Sequence, residues 1–213
     1  MRSLFIYQEG SDGLSDLLYQ AALEYKKLQN VIYKILVGRK GKTYTLMLHF
    51  PEESFFHLVG LQHLTDITFP SKNKERIYRE ILSRKIADED IKKSVFYEKW
   101  FIEERLSNLH HLQRMFESNS ITYLIHQQQY VEYTTIKADY LCEYMIVDGT
   151  IYFFSKIQKI NPKFDNECKG CSFFKKHQTD YTKGTSKTTV LLIEKIVDEK
   201  STEVFRNPAY IDK

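Results

Sequence analysis

Two histidines, His57 and His63, lie six residues apart in the run Phe55-Phe56-His57-Leu58-Val59-Gly60-Leu61-Gln62-His63-Leu64. Imidazole titrates near neutral pH, so a positioned histidine can give or take a proton in a reaction. On one regular helix this spacing sets the two rings about 120° apart. One ring then reaches a cleft as an acid–base group, or both are boundary residues of a core helix. Gly60 lies between them; inside a helix it costs about 1 kcal/mol against alanine. What it offers in return is close approach of another backbone or a ligand. Further along, residues 156–187 hold eight lysines against Asp165, Glu167 and Asp180. Tyr152, Phe153, Phe154, Phe173, Phe174 and Tyr181 lie beside or among them. Lysines and aromatics on a sheet suit phosphate contacts and base stacking. A solvated lysine face over an aromatic core has the same composition. Residues 72–85 carry six basic residues against two acidic ones and read equally as the wet face of a helix.

Cys168-Lys169-Gly170-Cys171 is a CxxC pair. Half a zinc site needs two more ligands, and Cys142 and His177 are the nearest candidates, with no second paired motif. A redox pair would need a βαβ setting that is absent. The plainer reading is a turn with two incidental thiols entering a strand. His110 and His111 are adjacent, hence about 100° apart on a helix, and read as surface or boundary residues. Gly184-Thr185-Ser186-Lys187-Thr188 ends like a phosphate loop, but Lys187 lacks its preceding glycine. The sequence holds no HExxH and no Gly-x-Ser-x-Gly. No cofactor is expected.

These residues need elements to hold them. The chain has 213 residues, 42% hydrophobic and 28% charged, with few Gly (8) and Pro (4), which excludes collagen-like and low-complexity chains. Its +3 charge does not by itself mark a nucleic-acid binder. No apolar run is long enough for a membrane helix. The Leu4–Tyr7 patch is too short for a signal-peptide core. Three cysteines are too few for a disulfide framework, so a reduced, cytoplasmic protein is expected. Ser15 or Asp16 caps a helix to about 29, and runs 31–37 and 43–49 form a hairpin around the loop 38–42. Pro51 opens a helix through 64, Ser71 caps another over 72–85, a short helix covers 88–93, and 95–116 forms one or two amphipathic helices. From about 119 the chain reads as strands at 121–125, 138–147, 150–157, 171–175 and 188–197. Asp148-Gly149 is a two-residue hairpin signal between the second and third of them. Gln127-Gln128-Gln129 is too short for low complexity. The expected architecture is one α+β domain over 1–213: a mainly helical part, 1–118, with a hairpin at 31–49, then a mainly antiparallel β-meander, 119–213.

The 55–67 run, continuing Leu64-Thr65-Asp66-Ile67, resembles the "F-(F/Y)-H-L-x-G-L-x-(K/H)-L-x-D-I" helix of a phage-associated group. That group is the type-four branch of the barnase/EndoU/colicin/RelE-like (BECR) nucleases. Cys171-Ser172-Phe173-Phe174, Thr179-Asp180-Tyr181-Thr182, Lys187-Thr188-Thr189-Val190-Leu191 and Glu194-Lys195-Ile196 resemble its last two strands. The likeness spans about 15–197, and the CxxC and the long 85–116 stretch depart from it. The resemblance implies a BECR-like RNase fold and a metal-independent RNase of phage toxin or effector type. Such an enzyme activates a ribose 2′-OH against the adjacent phosphate, leaving a cyclic phosphate and a 5′-OH. By motif position, His57 is acid or base and His63 a second such group. Lys183 or Lys187 stabilises the phosphate, and Tyr181 and Thr188 orient it. RNA is the implied partner, tRNA or another structured RNA included, with an immunity or antitoxin protein as a second and no membrane. The competing reading is a non-enzymatic module on the same fold that binds nucleic acid or protein; a zinc module on Cys168 and Cys171 is a third.

Overall fold

The computed structural model describes residues 16–118, 121, 123–126, 136–158, 166–183 and 185–211. The Leu4–Tyr7 patch, the Ser15 cap, the glutamine run, Lys159, Lys163 and Gly184 lie outside the described residues. Helix α1 (Leu17–Lys26) starts where Asp16 accepts a hydrogen bond from the Tyr19 N–H at 2.9 Å, satisfying one of the free amides of the first turn. Its Leu18, Ala21, Ala22 and Tyr25 are buried. A hairpin follows, β1 (Ile32–Arg39) and β2 (Lys42–His49). Its turn is only Lys40 and Gly41, at φ 49° and 76°. Two left-handed residues match the twist of the strands, so pairing runs on through Gly38 and Arg39, which the sequence assigns to a loop.

Strands β3 (Tyr123–His126), β4 (Tyr140–Ile146), β5 (Gly149–Ile157) and β6 (Glu167–Lys175) pair antiparallel in chain order, as a meander should. The sheet does not end there. Strand β7 (Ser186–Val197) lies beside β3 on one edge and along β1 on the other. Strand β2 meets β6 in parallel through Met47↔Glu167 to His49↔Lys169. The seven strands therefore curl round until β7 and β1 meet. Strand β8 (Lys200–Arg206) continues along β7 where β3 leaves it.

Three expectations are corrected here. The hairpin belongs to the main sheet, which mixes one parallel pair with the antiparallel ones. A lone hairpin is marginal in water; β1 buries Tyr33, Ile35 and Val37 on one face, and its two edges pair with β2 and β7. Strand β8 has no counterpart in the sequence reading, because its turn, Asp198-Glu199, lacks glycine yet takes φ 48° and 63°. The CxxC lies inside β6, not in a turn before a strand. A smaller shift affects the β4–β5 turn, which is Val147-Asp148, with Gly149 already paired to Ile146.

Inside the ring Ile35, Leu46, Leu48, Leu124, Cys142, Phe153 and Cys168 converge, and Phe116 from α6 (His111–Glu117) closes over them. A second cluster, Leu141, Tyr152, Phe154 and Phe174, forms separately, with Cys171 and Tyr181 against it. Helix α2 (Glu52–Leu58) packs on β6 and on α3 (Lys74–Leu82), while α5 (Ile102–Asn108) also packs on β6. The short α4 (Asp88–Lys92) packs against α1. Among the described residues no helix is long and apolar enough to cross a membrane.

Candidate active site

The helix drawn through both histidines does not exist. Helix α2 stops after Leu58, and Gly60 takes φ 83°, a left-handed conformation that ends the helix. A 3₁₀ turn, Leu61–His63, then redirects the chain. The angular argument for the two rings fails, because a left-handed glycine resets the helical phase. The close approach that Gly60 admits is to α5: a Cβ there would lie 3.0 Å from Arg105 Cδ and 3.1 Å from Ile102 Cδ1. Likewise Asn73, not Ser71, caps α3, its Oδ1 accepting from the Arg76 N–H at 2.9 Å. That start places Lys74 in the first turn of α3, facing α2. The Arg79–Glu52 pair at 2.6 Å and the Phe55–Tyr78 ring contact at 5.0 Å lock α3 against α2.

The result is a cationic cluster around His57. Lys74 Nζ lies 2.6 Å from His57 Nε2. An ammonium has only protons to give, so Nε2 accepts and the imidazole is neutral. Burial is the main cause that lowers the His57 pKa to about 4; Lys74, Lys169 and His63 add to it, and Glu53 opposes them. The C-terminal turn of α2 should favour an imidazolium, but desolvation and the neighbouring cations win. Lys169 comes from β6 and pairs with Glu53 at 3.0 Å. That is a single carboxylate among two lysines and two histidines.

His63 is held by a different set of contacts. Its ring stacks on Trp100 with centroids 4.0 Å apart and planes 13° off parallel. The Gln62 amide nitrogen lies 3.1 Å from its Nε2. Burial and then Arg105 lower its pKa. Arg105 is 7% exposed and makes no ion pair among the described residues. Its guanidinium donates to the Trp100 carbonyl at 3.1 Å and the Phe173 carbonyl at 3.4 Å, and lies 4.8 Å from the Phe174 ring. Burial pushes its pKa down to about 10. Glu104 and Tyr181 oppose that shift from outside ion-pair distance, and the guanidinium's field also acts on His63.

The other residues singled out from the sequence are held by other contacts. Tyr181 packs edge-on against Tyr152 and Phe154 in the second cluster, within electrostatic reach of Arg105. Lys183 and Lys187 are exposed. Thr188 is fully buried, and its Oγ1 has no hydrogen-bond partner among the described residues. Lys187 and Thr188 are neighbours on a strand and so point to opposite faces. None of these four is among the charges acting on His57, which are Lys74, Lys169, His63 and Glu53. The CxxC thiols separate as well. Cys168 lines the inside of the ring with Cys142, while Cys171 joins the second cluster. Burial pushes both the Cys168 and Cys171 thiols up to about 12, so neither is a ready thiolate for zinc. Among the described residues no three His, Cys, Asp or Glu gather as a metal site. The rings of His110 and His111 are 3.9 Å apart, with His110 at the start of α6.

Lys74 and Arg105 are what sequence reasoning missed. Lys74 stood within a basic run that also fits a wet helix face, and only the packing of α3 on α2 singles it out. Arg105 carried no motif signal.

An α+β chain whose His57–His63 run builds a cationic, carboxylate-poor cluster on a curled sheet has the composition of a phosphate-handling site. The chain belongs to the phage-Barnase-EndoU-ColicinE5/D-RelE like nuclease 4 family, whose model matches residues 17–207. Family membership makes it a nuclease-type domain and points to nucleic acid as its substrate. No curated protein and no solved structure matches the chain.

Proposed function

We propose that this protein is an endoribonuclease that cleaves RNA by attack of the ribose 2′-OH on the adjacent phosphate, with side-chain cations in place of a metal ion. The observation that carries this reading is the contact of Lys74 with a neutral His57 at 2.6 Å. A neutral imidazole is a base, and an ammonium touching it is a ready ligand for a phosphate oxygen. When Lys74 turns to the scissile phosphate, His57 Nε2 is freed to take the 2′-OH proton. The O2′–P bond forms while Lys74 and Lys169 hold the charge on the non-bridging oxygens. The P–O5′ bond then breaks, and O5′ leaves with a proton from His63. The lowered pKa of His63 in the free protein rises again beside the anionic phosphorane, since an opposite charge favours the imidazolium. Arg105 is a positioning residue in this scheme: it is buried, and it acts through His63.

Incubation of the purified protein with total RNA in EDTA between pH 5 and 8 tests the reading. Fragments ending in 2′,3′-cyclic phosphate are expected, and His57→Gln should lose them while keeping its melting temperature. Intact RNA at every pH, with binding retained, would sink the enzymatic claim.

One observation favours a second reading, a nucleic-acid-binding module without turnover. His57 Nε2 is already occupied by Lys74, which suits a site that only holds phosphate. That module binds RNA in a salt-sensitive way and releases it unchanged.

A further inference from the structure

The chain contains one tryptophan, and it is 37% exposed. A lone exposed apolar side chain is ordinary; it is the neighbours of this one that suggest a use. One face of the indole is covered by the His63 ring at 4.0 Å. The Trp100 carbonyl is tied to the buried Arg105 guanidinium. The segment leading to it is clamped at its start by Asp66, whose carboxylate accepts from the Ser94 hydroxyl and from the Val95 N–H. The ring is thus held ready before anything binds, which lowers the entropy cost of binding. The next residue, Phe101, is 48% exposed, and its ring is stacked on His177 at 3.9 Å.

We propose that Trp100 is the base platform of the site: its open surface stacks the base of an unpaired nucleotide whose phosphate lies at Lys74 and His57. This rests on the nucleolytic reading and adds the strand type and the side chain that selects it. Every base has a π-face, so such a platform is tolerant of sequence. It is intolerant of pairing, because a base inside a duplex has both faces covered. His63 links the two halves of the site: it stacks on Trp100 and acts electrostatically on His57. The charges also give the strand a direction. Glu98, Glu103 and Glu104 line a groove together with Tyr97, Phe101, Ile102 and Ser107. Phosphates are repelled there, so the backbone leaves Trp100 toward Lys74 and not across α5. A protein partner docking on Trp100 is the other use of an exposed tryptophan, but the cationic cluster behind His63 favours a nucleotide.

The single tryptophan makes the test direct. The full chain is titrated with a 2′-O-methyl RNA octamer, which lacks the attacking hydroxyl, then with the same strand annealed to its complement. A third probe is an abasic deoxyribose-phosphate strand of equal length. Tryptophan fluorescence and anisotropy of an end-labelled strand are read together. The single strand should quench the fluorescence and bind at least tenfold more tightly than the duplex. Trp100→Ala should weaken single-strand binding about five- to 150-fold and leave binding of the abasic strand unchanged. Trp100→Phe should restore most of the loss, and unchanged abasic binding confirms that the alanine variant is folded. Equal binding of single strand and duplex, or no loss in Trp100→Ala, overturns the platform even if RNA is cleaved. Binding of the octamer without change in fluorescence does the same and leaves Trp100 to a protein partner. Failure of all three strands to bind overturns the platform and the nucleolytic reading together.

Discussion

At the scale of single residues, the two histidines carry different perturbations from separate cations. Lys74 is the foremost charge on His57, and Arg105 the foremost on His63. Removing a cation removes its disfavouring of the imidazolium. Lys74→Met should therefore raise the His57 pKa, and Arg105→Met the His63 pKa. Each should leave the other histidine closer to where it was, as read by NMR titration of the two imidazoles. A larger response of His63 than of His57 to Lys74→Met would refute the pairing. The low pKa also sets a catalytic expectation. The acid limb of kcat/KM reports the free enzyme, so it should fall near pH 4 and not near 6.5. That limb is measured from cleavage of a labelled RNA across pH 3.5–8.

At the scale of elements, the 55–67 run does more than carry histidines. Phe55 and Leu58 are fully buried, Leu61 and Leu64 nearly so, and Asp66 clamps the segment that leads to Trp100. Gly60 is the pivot. A side chain there meets both the cost of a left-handed backbone, about 1–2 kcal/mol, and contacts of 3.0–3.1 Å with α5. Gly60→Ala should lower stability by about 1–3 kcal/mol in urea denaturation, and should depress cleavage further by moving His63 off Trp100. A variant as stable as the parent would show that α5 has room to give. The run's residue types announced a buried element bearing two histidines, but not its break. Glycine inside an apolar periodicity is compatible with both a continuous helix and a stop, and α5 decides between them.

At the scale of the whole molecule, the curled sheet encloses the main core, closed by a helix plug. Phe116 stacks on Tyr33 at 4.8 Å, meets Phe153 edge-on at 5.6 Å, and closes the inside of the ring. Tyr33 donates to Glu117 at 2.7 Å, and Lys195 pairs with the same carboxylate at 2.8 Å, joining α6 to β1 and β7. Phe116→Ala should cost about 3–5 kcal/mol in chemical denaturation, with loss spread over helices and sheet alike. The histidines make global stability depend on pH. For His57 the folded pKa is about 4 against an ordinary value of 6.5. Between those values the unfolded chain binds the proton more readily. Its contribution is thus present above pH 6.5 and is lost as pH falls toward 4. The melting temperature should drop over that window, and His57→Gln should drop less; parallel melts would count against the assignment.

The amino-acid sequence by itself determined the mixed helix and strand content, the strands of the meander, and the candidate histidines. These follow from local periodicity, turn chemistry and the imidazole's own pKa. What surrounds the histidines was decided only in three dimensions. Lys74, Lys169, Arg105 and Trp100 come from α3, β6, α5 and the turn before α5, and nothing in their spacing relates them. Tyr181 and Thr188 fit the family motif by position; the structure seats Tyr181 against the second cluster and buries Thr188, and neither is among the charges acting on His57. Closure of the sheet through β1 and β7 is likewise a tertiary result. Each strand's apolar face asks for burial, but only the packed whole decides which edges meet.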